Sequence, residues 1–231
     1  MMKRTVFALA ICLAAATAAA AQSPAPVQGK PRPAAPPAPA EVKDPHAGHK
    51  MGQEQAPEQS AAAKWFSDVE LLDQDGRKVR FYTDMLKGKT VVINAFFTTC
   101  TSVCPPMNRN MEKIQEALGD RLGREVFLVS ISVDPTTDTP TRLKEYAQKF
   151  HAKPGWVFLT GKKENIDWAL YKVGQYVESK DDHTTVIIVG NEATGLWKKM
   201  FGMGKLAELI QIVESVANDK GGAGGDKGGS K

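Results

Sequence analysis

Residues 96–107 decide the fold, and they read Phe96-Phe97-Thr98-Thr99-Cys100-Thr101-Ser102-Val103-Cys104-Pro105-Pro106-Met107. The stretch ends an apolar run, 91–97, and leads into apolar residues at helical spacing over 107–118, so it is predicted to join a buried strand to a helix. Two cysteines four positions apart lie one helical turn apart if the helix begins there, and their sulfurs then face one point. Such a pair can close a disulfide or bind a soft metal.

Strands and helices alternate around this stretch. Three apolar segments are predicted strands: 90–97, 125–133 and 156–160. Two segments that follow the second and third strands are predicted helices: 138–150 and 163–173. This alternation predicts an α/β domain whose sheet carries helices on both faces.

Hairpins near both ends complete the predicted domain. Residues 69–72 and 78–81 flank a turn that contains Gly76, and the apolar strand that begins at Val186 is followed by a second strand over 196–201. A final helix is predicted over 206–216. We therefore expect one globular domain over residues 64–217, in which Met107 and Met111 are core residues rather than ligands.

The N-terminus is typical of an exported protein. Lys3 and Arg4 precede an apolar stretch, 5–20, and an Ala-x-Ala pattern that predicts a signal peptide over residues 1–21. The alternative is an uncleaved membrane anchor, for which this run is somewhat short and Ala-rich. Either interpretation places the protein in the periplasm, soluble or anchored to the inner membrane.

Residues 22–63 are rich in Pro and Ala and are predicted to form a disordered tether, and the Gly/Lys-rich residues 218–231 a disordered tail. The tether contains His46, His49 and Met51, whose imidazole and thioether groups are ligands that suit copper. These residues are a candidate copper-collecting segment. The alternative is a polar linker that happens to contain histidines.

The remaining cysteine pair defines the functional question. Because Cys12 lies in the predicted leader, Cys100 and Cys104 can form a structural disulfide, a catalytic dithiol or a metal site. A structural disulfide is disfavoured, because so small a loop removes little entropy from the unfolded chain. Basic residues are interspersed with acidic ones at a formal net charge of +4, so no nucleic-acid partner is indicated.

Three separated motifs resemble those of the Sco/SenC family of copper chaperones: Thr99-Cys100-Thr101-Ser102-Val103-Cys104-Pro105, then Val133-Asp134-Pro135 with Asp138-Thr139-Pro140, and Asp182-His183-Thr184. The resemblance covers roughly residues 65–216. It implies a thioredoxin-like fold with a central mixed sheet flanked by helices. It also implies copper delivery to the CuA-bearing subunit of cytochrome c oxidase, with Cys100, Cys104 and His183 as ligands. Asp134 matches an acidic position of the family near the site.

The ligand set implied by the resemblance is chemically sensible. Two thiolates and one imidazole form a soft, low-coordinate site that suits Cu(I), and the imidazole helps to retain Cu(II), whereas zinc normally requires a fourth ligand. An oxidising compartment favours the Cys100–Cys104 disulfide, so a thiol reductant is an implied partner, and another copper carrier is a further candidate. The alternative for His183 is a histidine that caps a strand or bonds a backbone carbonyl.

A thiol-disulfide oxidoreductase acting on exported proteins is the competing function, with Cys100 as the attacking thiolate and Cys104 as the resolving thiol. Thioredoxin-like oxidoreductases normally present a cis-proline in the loop that faces their cysteines, whereas the run before Val186 contains His183 and no proline. This difference favours a metallochaperone over an enzyme. A peroxidase of the same fold ranks lower, since no second feature supports it.

Overall fold

The computed structural model describes residues 35–36, 61–66 and 68–221. The predicted signal peptide, most of the predicted tether with His46, His49 and Met51, and residues 222–231 of the predicted tail lie outside the described residues. None of the helices in the described part of the chain is long and apolar enough to cross a membrane.

One seven-stranded sheet organises the domain, in the order β2-β1-β5-β4-β3-β6-β7. The strands are β1 (Glu70–Asp73), β2 (Lys78–Arg80), β3 (Thr90–Phe96), β4 (Val126–Ser132), β5 (Trp156–Thr160), β6 (Val186–Asn191) and β7 (Leu196–Phe201). Strands β3, β4 and β5 are parallel, whereas β1 pairs antiparallel with β5 and β6 pairs antiparallel with β3. The predicted mixed sheet is confirmed, and every residue of β3 is buried, as expected for a strand covered on both faces.

Helices cover both faces of this sheet. They are α1 (Ala61–Phe66), α2 (Cys104–Leu118), α3 (Pro140–Lys149), α4 (Lys163–Lys172) and α5 (Leu206–Ala217). Helices α2, α3 and α5 pack on one face, and α1, α4 and a π-helical segment, Phe81–Leu86, pack on the other. Among the described residues, the first helix begins at Ala61, three residues before the predicted domain start at residue 64.

Helix α2 starts three residues earlier than the sequence pattern indicates, at Cys104 rather than Met107. Pro105 and Pro106 cause the difference, because proline is unfavourable inside a helix but fits its first turn, where the missing N–H has no acceptor to bond. Met107 and Met111 are fully buried in the core, as predicted. Burying side chains of this size contributes roughly 1.5–3 kcal/mol each.

The topology brings three chain segments to one edge of the sheet. Parallel strands β3 and β4 both end at this edge, and the antiparallel strand β6 begins there. Open α/β sheets place their sites at the carboxyl ends of parallel strands. The loop after β3, the loop after β4 and the loop before β6 therefore meet at one place.

Candidate metal centre

The two cysteines lie on either side of the start of α2. Cys100 belongs to the loop that leaves β3, where its backbone N–H donates to the carbonyl of Phe97 at 3.2 Å. Cys104 is the first residue of the helix, and its backbone N–H donates to Cys100 Sγ at 3.4 Å. The two cysteines were expected to lie one helical turn apart if the helix began at the pair, and this condition holds for Cys104 but not for Cys100. They still converge, because the free N–H groups of a helix N-terminus attract a sulfur carrying negative charge.

His183 reaches this pair from the loop before β6. A short 3-10 turn, Lys180–Asp182, precedes it, and its Nδ1 lies 2.8 Å from the backbone carbonyl of Lys180. A carbonyl only accepts hydrogen bonds, so Nδ1 carries a proton and the lone pair of Nε2 faces the cysteines in the neutral ring. The ring also packs edge-on against Phe97, with the two centroids 5.0 Å apart.

These three side chains form one cluster of soft donors. His183 Nε2 lies 3.2 Å from Cys104 Sγ and 4.0 Å from Cys100 Sγ, and the three ligand atoms all lie within 4.8 Å of one another. Cys104 is fully buried, Cys100 is 7% exposed and His183 is half-buried. Two sulfurs and one nitrogen at such separations can surround a single ion that prefers thiolate and imidazole ligands.

The two thiols differ in acidity. Burial acts to raise the pKa of Cys100, but hydrogen bonds from the side chain and backbone of Cys104 and from Ser102 outweigh it and hold that pKa below its usual value. Burial raises the pKa of Cys104 far above its usual value, and so do its hydrogen bond to Cys100 and the nearby charge of Asp138. Cys100 is therefore the thiol of the reduced pair that loses its proton first, and Cys104 is the one that keeps its proton longer.

Asp134 does not join the three-atom cluster, but it supports the histidine loop. Its Oδ2 lies 2.7 Å from Nζ of Lys180, the residue whose carbonyl fixes His183. Burial acts to raise the pKa of Asp134, but hydrogen bonds from Lys180, Thr136 and Thr137 hold it below its usual value. The ion pair thus ties the end of β4 to the loop that positions the imidazole.

Asp138 has a role near the site that the sequence did not predict, since it was assigned to a helix start and to the second family motif but to no contact with the cysteine loop. It is fully buried, and Thr139 rather than Asp138 caps α3. Its carboxylate accepts hydrogen bonds from the backbone N–H and hydroxyl of Thr98 and from the hydroxyl of Ser132. Because Thr98 lies two residues before Cys100, Asp138 anchors the cysteine loop. The available signal was an acid four residues after Asp134, following a buried strand.

No disulfide joins Cys100 to Cys104 in the structure, and the Cys100–Cys104 disulfide stays a prediction. The run from His183 to β6 contains no proline, and no cis peptide bond occurs in the described part of the chain. The feature that thioredoxin-like oxidoreductases normally present opposite their cysteines is therefore replaced here by the imidazole.

The fold and the site together define a class of protein: a thioredoxin-like domain with a Cys-x-x-x-Cys pair faced by a distal histidine. A model of the SCO1/SenC family matches residues 57–218, which is more than half of the chain. The chain belongs to the SCO1/SenC family. The resemblance read from the three motifs is confirmed, and so is the thioredoxin-like fold.

Relatives and solved structures agree with this assignment. A SCO2-like protein of Rickettsia conorii is 39% identical over 99 residues, which cover 43% of this chain and 46% of the relative. The chain spans about half the length of the curated relatives it matches. The structure of BsSco superposes with a TM-score of 0.55 at 27% identity, covering 66% of this chain and 92% of that one. BsSco is described as a member of the Sco family of cytochrome c oxidase assembly proteins and as having a disulfide switch. Bradyrhizobium japonicum ScoI, solved with copper bound, gives a TM-score of 0.54 at 27% identity, covering 64% and 97%.

Proposed function

We propose that this protein is a periplasmic copper chaperone that binds copper through Cys100, Cys104 and His183 and delivers it to the CuA centre of cytochrome c oxidase. The observation that supports this function is the convergence of two thiols and one imidazole within 4.8 Å. The related ScoI structure contains copper, and BsSco is described as a cytochrome c oxidase assembly protein.

The donor set fits copper as a cargo. Thiolates and imidazole suit Cu(I), and three ligands satisfy it without a fourth, whereas a structural zinc site normally takes four. The half-buried His183 and the slightly exposed Cys100 form the open side of the cluster, while Cys104 lies behind them. A protein that receives the ion therefore approaches from the side of Cys100 and His183.

Thiol chemistry supplies the control of this binding. Copper binds the reduced pair, and oxidation to the Cys100–Cys104 disulfide removes two of the three ligands. A thiol reductant is therefore a partner of this protein in the periplasm, together with the CuA-bearing subunit and a copper carrier that loads the site. The disulfide switch described for BsSco supports this part of the proposal.

A thiol-disulfide oxidoreductase is the second candidate, because the two thiols are unequal in the way such enzymes require. Cys100 has a pKa below its usual value and suits attack on a disulfide, while the buried Cys104 suits resolution of the mixed disulfide. In this case the protein is an enzyme acting on exported proteins, and His183 takes no part in metal binding.

One experiment separates the two functions. The reduced full chain is titrated with Cu(I) in competition with a chromophoric chelator, and the same preparation is assayed for insulin reduction. We expect tight copper binding that His183→Ala weakens at least tenfold, and that His151→Ala, at an exposed histidine away from the cluster, leaves unchanged. Rapid insulin reduction without copper retention would reverse the ranking.

The segments outside the described residues complete the proposal. Residues 1–21 act as the signal peptide or inner-membrane anchor, and the tether carries a weaker second copper site at His46, His49 and Met51. Replacing both tether histidines by alanine should remove one weak copper equivalent from the full chain and leave the tight one. A single copper equivalent in the unmodified chain would contradict the tether site.

A further inference from the structure

A groove of about 430 Å³ lies on the face of the sheet opposite to α2, between α1, the end of α4 and the β6–β7 hairpin. Its floor is apolar: Phe66, Val173 and Ile188 are buried there, and the rings of Phe66 and Trp197 lie 5.2 Å apart. None of its lining residues belongs to the thiol-imidazole cluster. Ligand sites typically enclose about 300–1,000 Å³, so the groove is large enough to hold part of a ligand.

The rim of this groove is positively charged. Lys172, Lys198 and Lys199 line it, and no lining residue is acidic. The ammonium of Lys172 lies 4.4 Å from the ring centroid of Trp65. That of Lys198 lies 2.9 Å from the hydroxyl of Ser215 on α5, so this side chain points to the other face of the sheet and leaves Lys172 and Lys199 as the cations of the rim. The side chain of Lys199 is exposed and makes no ion pair with the described residues. An apolar floor below a basic rim matches a ligand with an anionic head and an apolar tail.

The environment of Trp65 indicates that such a ligand belongs to a lipid bilayer. Its side chain is 47% exposed, although its Nε1 donates to the carbonyl of Lys172 at 3.2 Å. Exposed tryptophan next to lysine is typical of protein surfaces at the boundary between lipid and water. Helix α1, which carries Trp65, is also the described helix nearest in sequence to the N-terminal run 5–20 that is predicted as a signal peptide or anchor.

We propose that this groove docks the domain onto a bilayer that contains anionic phospholipid, with a lipid phosphate near Lys172 and Lys199 and Trp65 at the level of the headgroups. The cluster of Cys100, Cys104 and His183 lies at the strand ends and on the opposite face. Docking through the groove therefore leaves the cluster accessible to a partner. The inference needs no copper and does not depend on the proposed function.

The test uses the metal-free full chain and vesicles whose acyl chains are brominated, with and without phosphatidylglycerol. Bromine quenches tryptophan at short range, so it reports whether the Trp65 region enters the lipid, whatever the N-terminal run does. We expect quenching that requires phosphatidylglycerol and falls with salt. Lys172→Glu with Lys199→Glu should weaken the anionic-lipid-dependent part of binding at least about 25-fold, since each lysine near such a surface contributes roughly fivefold. Trp65→Phe should remove most of the quenching.

Matched variants make the result decisive. Lys149→Glu with Lys205→Glu changes the charge equally at exposed positions outside the groove and should leave quenching unchanged. The single variant Lys199→Glu, at an exposed side chain, serves if the double variant is poorly folded. Equal quenching with and without phosphatidylglycerol, or equal loss in both double variants, would overturn the proposal. If inorganic phosphate reduces vesicle binding more than chloride does at the same ionic strength, the groove binds a free anion instead. If the chain self-associates and the groove variant does not, the groove binds a second copy of the chain instead.

Discussion

Replacing Asp138 tests whether one buried carboxylate holds the loop that carries Cys100. The side chain is fully buried and accepts three hydrogen bonds, two from Thr98 and one from Ser132. Asp138→Asn keeps the shape but turns one acceptor oxygen into an amide donor that faces other donors. Hydrogen bonds to a charged group are worth roughly 1.5–3 kcal/mol each, so losing one or two of them should lower the free energy of unfolding by about 2–4 kcal/mol.

Urea unfolding of the reduced protein measures this loss as a lower midpoint at an unchanged slope. Asp181→Asn makes the same chemical change at an exposed position and should alter the free energy of unfolding by less than about 0.5 kcal/mol. The pKa of Cys104 is a second, independent measurement. The charge of Asp138 helps to raise this pKa, so Asp138→Asn should lower it. An unchanged urea midpoint for Asp138→Asn would refute the anchoring role.

Two further predictions concern thiol reactivity and packing. In reduced, metal-free protein, iodoacetamide should modify Cys100 before Cys104 and at a lower pH than it modifies free cysteine, because the lowered pKa of Cys100 makes it a thiolate at a pH where Cys104 is still a thiol. Peptide mass spectrometry over a range of pH measures the rate of modification at each cysteine. Equal labelling of the two cysteines would contradict the assignment. Gly190→Ala should lower the free energy of unfolding by about 1–3 kcal/mol, because a Cβ there would lie 2.1 Å from the ring of Trp197. Urea unfolding measures this loss. A stability equal to that of the wild type would show that the indole can adopt another rotamer without cost.

Periodicity and composition predict most of the fold. Buried strand β3 lies in a largely apolar run, and the predicted segments 156–160 and 196–201 coincide with β5 and β7. The π-helical segment Phe81–Leu86 was not predicted, and residue 81 was assigned to a strand. Its turn is stabilised by distant contacts, among them hydrogen bonds from backbone N–H groups to Asp68, which no local pattern reveals.

The cluster of Cys100, Cys104 and His183 was predictable from the sequence, whereas the residues that hold it in place were not. Spacing identified Cys100 and Cys104, and the family resemblance added His183. Asp138 could not be assigned in the same way, because its burial depends on Thr98, which is 40 positions away in the chain. Lys180 was equally hidden, since a half-exposed lysine in a polar loop gives no sequence signal of an ion pair with a distant acid.

Two interactions keep the imidazole of His183 close to the two sulfurs: its hydrogen bond to the carbonyl of Lys180 and the Lys180–Asp134 ion pair. They therefore raise the effective concentration of the imidazole at the sulfurs. The thiols belong to a fixed frame at the start of α2, whereas the imidazole belongs to a short loop tied down at one residue. Under the proposed function, an ion held by both sulfurs would lose this third donor more easily than either thiolate. The exchange of a ligand with a partner would then begin at His183, and the strength of the loop's attachment would set how readily it begins.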